Sequence, residues 1–151
     1  KQGKVKSIGV SNFLPEHISR IIDETGVAPA VNQLELHPAY QQRDIREFHR
    51  EHDILIECYS PLGGKESKLL DSPVLAEIGQ AHGKSPAQVM IRWHLQQNLI
   101  PLPKSSKAER AAENFDVWDF VLGEDDVRRI DAMDRPDGKT LPQPNDNNTL
   151  F

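Results

Sequence analysis

Four short apolar runs punctuate the chain, and longer stretches with a helical period separate them. The runs are Ser7–Val10, Ala30–Leu34, Ile54–Cys58 and Leu99–Leu102. Each is bounded by turn-forming residues, so its length predicts a buried strand rather than a helix. Between the first two, Pro15 suits a first helical position, Ile18, Ile21 and Ile22 share one face, and Gly26 supplies a stop. Asp44 to about His52 predicts a second helix with Ile45 and Phe48 inward. Ser72-Pro73 opens a third that ends at Gly83, with Leu75 and Ile78 inward. Ser85-Pro86-Ala87-Gln88 has the spacing of a capping box, and Val89 and Trp93 give that helix its core face. Ser106-Lys107-Ala108-Glu109 repeats the box, and the acidic turn after Gly123 opens a last helix carrying Val127, Ile130 and Met133.

Strand and helix thus alternate four times, with an extra helix in the third unit. That order predicts an α/β fold with parallel strands joined by helical crossovers. Two architectures fit it, an open doubly wound sheet and part of an eight-stranded TIM (β/α)8 barrel. No G-x-G-x-x-G follows the first strand, as the open sheet usually requires. Polar residues cluster instead at the C-terminal end of every strand, where barrel enzymes keep their sites. Residues 135–151 are rich in Pro, Asp and Asn and are expected to form a loop or mobile tail beyond a domain spanning residues 1–134.

Composition narrows the partners. A chain of 151 residues with 37% hydrophobic and 27% charged residues suits one globular domain. A net charge of -5 argues against general affinity for nucleic acid or an anionic membrane, while leaving room for a local anion site. No apolar run approaches the ~20 residues that span a bilayer. Cys58 is the only cysteine, which rules out an internal disulfide or a cysteine-based zinc site and fits a reducing cytoplasm. The chain opens on Lys1 rather than Met, and is expected to be part of a longer gene product.

The densest chemistry lies at the last strand end. Lys104, Ser105 and Arg110 surround an expected helix N-terminus, where unpaired N–H groups and the helix dipole favour a phosphate. Arg110 adds a planar fork suited to phosphate oxygens. The other strand ends carry Ser11 and Asn12, Asn32 and Gln33, and Tyr59 through Gly64. Paired amides can hold another amide such as a nicotinamide carboxamide, Tyr59 offers a flat face, and Gly63 and Gly64 allow close approach of a pyrophosphate. His37 is expected to pack or hydrogen-bond rather than ligate, His94 to be structural or exposed, Cys58 to fill a strand interior, and Trp93, Phe115, Trp118 and Phe120 to pack helices.

The segments Gly9–Phe13, Val31–Pro38, Tyr59–Gly63 and Pro103–Ser105, followed by Arg110 and Glu113-Asn114, resemble the aldo-keto reductase family. The Lys-Ser-x4-Arg-x2-Glu-Asn spacing is the most specific element of the resemblance, which runs to about Asp134. Residues 64–72 and 83–94 are most similar to bacterial members such as diketogluconate reductases. The resemblance implies a TIM barrel that passes hydride from NADPH to an aldehyde or ketone. It implies that Ser11, Asn12 and Gln33 hold the nicotinamide carboxamide and that Tyr59 stacks on its ring. Ser60, Leu62 and Gly63 would line the pyrophosphate path. Lys104, Ser105 and Arg110 would bind the 2′-phosphate, and Glu113 and Asn114 the adenine.

The matched segments correspond to barrel strands five to eight. The family's catalytic tyrosine, aspartate, lysine and histidine lie on earlier strands, so no catalytic residue is assigned here. The expectation is a cofactor-binding C-terminal half, inactive alone, that pairs with the missing N-terminal half or a second copy. Competing readings are a nucleotide-binding fragment or non-enzymatic protein of the same fold, and an unrelated barrel gripping a phosphorylated substrate.

Overall fold

The structure is a computed structural model that describes residues 3–64 and 67–141. Four strands, β1 (Gly9–Ser11), β2 (Val31–Glu35), β3 (Leu55–Tyr59) and β4 (Ile100–Pro101), form one parallel sheet in the order β1-β2-β3-β4. The crossovers carry α1 (Pro15–Thr25), α2 (Arg43–Glu51), then α3 (Pro73–His82) and α4 (Pro86–Gln96); α5 (Ala108–Phe115) and α6 (Glu124–Asp131) follow β4. The expected alternation and the extra helix of the third unit are both present.

Local signals account for most boundaries. Pro15 opens α1 while the Leu14 amide donates to His17 Nδ1 at 3.2 Å, and Gly26 closes the helix in the left-handed region at φ 68°. Ser85 and Gln88 form a reciprocal capping box on α4, with the Ser85 amide donating to Gln88 Oε1 at 2.9 Å. At α6 the Asp126 carboxylate reaches back to the Gly123 amide at 3.2 Å. The second expected capping box does not form. Lys107, not Ser106, is the N-cap of α5, and no side chain caps it. Ser105 explains the shift. Its hydroxyl accepts from the Lys107 amide and donates to the Lys107 carbonyl, a local turn that keeps the chain extended through Lys107.

Strand periodicity sorts side chains onto two faces. Asn32, Leu34, Ile56 and Cys58 face the helices and are buried. There they meet Leu75 and Ile78 of α3, Val89, Met90 and Trp93 of α4, Leu122, and Ile130 of α6. Each fully buried aliphatic side chain contributes roughly 1.5–3 kcal/mol. The other face carries Ser11, Val31, Gln33, Leu55, Glu57 and Ile100, and on it Leu55 is 52% exposed. Trp93 packs as expected, but Phe115 and Trp118 do not. They are 73% and 61% exposed, because they lie near β4, where the sheet ends and no further unit covers them among the described residues.

Residues 135–141, expected as part of a loop or mobile tail, form a loop that is tied down. The Arg135 amide donates to the Ala39 carbonyl, and the Thr140 and Leu141 amides donate to the Glu35 carboxylate at 2.7 and 3.2 Å. Gly138 fits because a Cβ there would lie 1.7 Å from the Ala39 carbonyl oxygen. The remainder of the expected tail, 142–151, lies outside the described residues.

Candidate functional site

A cavity of about 630 Å³ opens at the C-terminal ends of β3 and β4. It brings together eight of the residues singled out in the sequence, Ser60, Leu62, Gly63, Lys104, Ser105, Arg110, Glu113 and Asn114. The loop after β3 reaches it because Ser60 and Gly63 both adopt positive φ, at 50° and 74°. A Cβ at Gly63 would lie 2.2 Å from Ser67 Oγ, so the turn accepts only glycine without rearrangement. Lys104 and Arg110 both line this cavity, and neither has a hydrogen-bond or ion-pair partner among the described residues. Every other arginine among the described residues makes a side-chain hydrogen bond or ion pair, but Arg110 makes none. Two unpaired cations beside free helical N–H groups form a site for a multivalent anion. The Glu113 carboxylate is held by the Ser85 hydroxyl, which draws the N-terminus of α4 into the same wall.

The remaining four predicted residues sit across the ends of β1, β2 and β3. The Asn12 amide and the Ser11 hydroxyl both donate to the Gln33 carbonyl, at 2.9 and 3.1 Å. Tyr59 donates its phenol to Asn12 Oδ1 at 3.0 Å, and Asn12 Nδ2 donates to Ser11 Oγ at 3.2 Å. Burial, reinforced by the negative charge of Glu35 and by Tyr40, pushes the Tyr59 phenol up, so it stays a neutral donor. Gln33 donates its Nε2 to Glu57 Oε2 at 2.9 Å. Tyr59 and Ser60 are neighbours in the chain, so the two groups of residues adjoin at the end of β3, although Asn12 and Tyr59 line a separate small pocket.

Asn32, the other amide at the second strand end, belongs to the scaffold. It is buried on the helix side, where it brackets the Phe13 backbone and meets His49 Nε2 at 2.9 Å. His49 Nδ1 faces the Ile45 carbonyl, so Nδ1 carries the proton and Nε2 accepts from Asn32. His37 is fully buried, as expected of a packing residue, and of the two alternatives for His94, structural or exposed, its full burial selects the first. His94 lies between the Met90 and Leu36 carbonyls, and burial pushes its imidazole down to about 4. Burial pushes the Glu35 carboxyl up, but hydrogen bonds from His37, Thr140 and Leu141 outweigh it and leave its pKa below the ordinary value. Cys58 is buried in β3 and its thiol is pushed up to about 12 by burial, which makes it inert. Ser85, read from the sequence only as a helix cap, and Glu57 were not singled out as site residues. The signal for Glu57 was a lone charge at an alternate position of an apolar strand; the signal for Ser85 was a cap whose helix starts beside the fourth strand end.

Among the described residues no cluster of three metal-ligating side chains occurs, and no helix is long and apolar enough to cross a membrane. The comparisons with known proteins agree with the geometry. A sequence model of the Aldo/keto reductase family matches residues 1–135. The chain belongs to the aldo/keto reductase family. It is 50% identical to an aldo-keto reductase of Mycolicibacterium smegmatis over 95% of its own length and 51% of that protein. It is 47% identical to methylglyoxal reductase DkgA of Escherichia coli K12, over 95% and 52% of the two chains. The fold matches that of Gox0644, solved as a point mutant in complex with NADPH, with TM-score 0.89 and 52% identity over 95% of this chain and 52% of that one. This aldo-keto reductase chain therefore spans about half the length of the relatives it matches.

Proposed function

We propose that the chain is the cofactor-binding, C-terminal half of an NADPH-dependent aldo-keto reductase that reduces an aldehyde or ketone. The observation that carries this reading is the shared cavity in which Lys104, Ser105 and the unpaired Arg110 meet the β3 loop. A 2′-phosphate there completes charge-assisted bonds worth roughly 1.5–3 kcal/mol each. Ser60, Leu62 and Gly63 then line the path of the pyrophosphate, and Glu113 and Asn114 meet the adenine. Ser11, Asn12 and Gln33 hold the carboxamide, and the half-buried Tyr59 covers one face of the nicotinamide ring. Bound NADPH supplies the hydride. These residues fix where it points and hold no proton for transfer, so the acid–base group comes from outside the chain and the chain alone is inactive.

The same reading makes residues 1–134 strands five to eight of a TIM barrel, with 135–151 as an appended segment. Among the described residues β1 and β4 are unpaired edges, and Leu55, Ile100 and Leu102 are exposed apolar side chains beside them. A missing N-terminal half, or a second copy, covers them. The lone buried Cys58 suits a cytoplasmic setting. Calorimetric titration with NADPH and NADH tests the function. Clear preference for NADPH supports it; equal affinity contradicts the 2′-phosphate assignment.

A further inference from the structure

Ser11, Gln33, Glu57 and Ile100 form one row across all four strands, on the face turned away from the helices. Within that row Glu57 has a single partner. Its Oε2 accepts from Gln33 Nε2 at 2.9 Å, and it forms no ion pair among the described residues. A half-buried carboxylate without a cation is costly to keep on an otherwise apolar strand. It ties no helix to the sheet and joins no salt-bridge network. What it does is orient one amide.

A carboxylate only accepts hydrogen bonds, so Gln33 must turn its NH2 toward Glu57. This settles the amide orientation on chemical grounds rather than on the appearance of the side chain. Gln33 Oε1 is then left as an acceptor with no partner among the described residues. Asn12 is set the opposite way. Its Oδ1 is occupied by the Tyr59 hydroxyl and one hydrogen of its Nδ2 by Ser11 Oγ, so what it still offers is the second N–H donor. One amide offers an acceptor and the other a donor. That pair matches a carboxamide in one orientation, its NH2 toward Gln33 and its oxygen toward Asn12.

We infer that Glu57 is a positioning residue that acts through Gln33 to fix which way round the nicotinamide carboxamide sits. The inference rests on the nicotinamide reading above and adds the residue that polarises it. With Glu57→Gln, a neutral amide of the same shape both donates and accepts, and Gln33 is free to flip.

The test measures dissociation constants of the chain for three probes. NADP carries the carboxamide, its 3-acetylpyridine analogue keeps the carbonyl but lacks the NH2, and 2′,5′-ADP lacks the nicotinamide half. The native chain is expected to favour NADP over the analogue by roughly tenfold, one hydrogen bond between good partners. Glu57→Gln is expected to shrink that ratio to below about threefold while leaving 2′,5′-ADP binding unchanged, since that affinity reports the fold and the phosphate site. Gln33→Leu should collapse the ratio equally, and the double variant should lose nothing more. An unchanged ratio in Glu57→Gln overturns the inference. So does a parallel loss of 2′,5′-ADP affinity, which marks Glu57 as merely structural. Equal binding of NADP and the analogue by the native chain overturns the inference and leaves the phosphate site standing. Failure of the native chain to bind any of the three overturns both readings.

Discussion

The phenol of Tyr59 donates to Asn12 Oδ1 across 3.0 Å, joining the end of β3 to the turn after β1 over the intervening β2. Asn12 can accept it because its backbone turns through the left-handed region at φ 57°, a conformation asparagine tolerates better than most residues. Tyr59→Phe removes the donor and keeps the ring. Its expected effect is a loss of NADPH affinity of about 3- to 10-fold, one hydrogen bond's worth. Tyr59→Ala removes the ring face as well and should cost more. Fluorescence titration of both variants checks the order; equal losses would remove the ring from the account.

Glu35 anchors the segment after α6. Its carboxylate accepts from the Thr140 and Leu141 amides and from the Thr140 hydroxyl. Glu35→Ala should release residues 138–141 and speed amide exchange at Thr140 and Leu141, with a stability loss of about 1–3 kcal/mol. Hydrogen-exchange mass spectrometry reads the first effect directly. Unchanged protection of those amides would show that packing of Gly138 against Ala39 holds the segment without the carboxylate.

The neutral His94 imidazole gives a pH dependence with a definite sign. Burial holds it at about 4 in the folded chain, against 6.5 for a free histidine. Between those values the unfolded chain takes up a proton that the folded chain refuses. Its contribution is complete above pH 6.5 and is lost as the pH falls toward 4, by about 3 kcal/mol in all. His49, also pushed down by burial, adds in the same direction. Urea melts at pH 7, 5.5 and 4.5 should show the decline, and His94→Gln should flatten part of it. An identical slope in the variant would assign the decline elsewhere.

Open edges predict association. With β1 and β4 unpaired among the described residues and Phe115, Trp118 and Val121 exposed, the chain alone should run as a dimer or larger species in light scattering. A monodisperse monomer with one cooperative melt would contradict this.

Particular residues show what the sequence could and could not convey. Gly26, Pro73 and the Ser85–Gln88 box act through their nearest neighbours, so the helix ends they mark were legible. That Lys104, Ser105 and Arg110 would meet at one cavity was legible because they lie within seven consecutive residues of the chain. Asn32 and Gln33 were not separable, because adjacent strand residues point to opposite faces and only pairing register says which face is which. Glu57 needed the same register, since its partner lies on another strand. The exposure of Phe115 and Trp118 depends on where the sheet ends, which no local pattern encodes. The cap expected at Ser106 moved to Lys107 because the Ser105 hydroxyl closes a turn on the Lys107 amide and carbonyl, a side-chain choice that the capping-box spacing does not encode.

If Lys104, Ser105 and Arg110 read the 2′-phosphate of NADPH, the ratio of NADPH to NADH affinity in the native chain and in Arg110→Ala will show it. The native chain should prefer NADPH, and the variant should lose roughly 10- to 100-fold in NADPH affinity while its NADH affinity stays the same. A native chain that binds both cofactors equally, or a variant whose ratio is unchanged, would contradict the account.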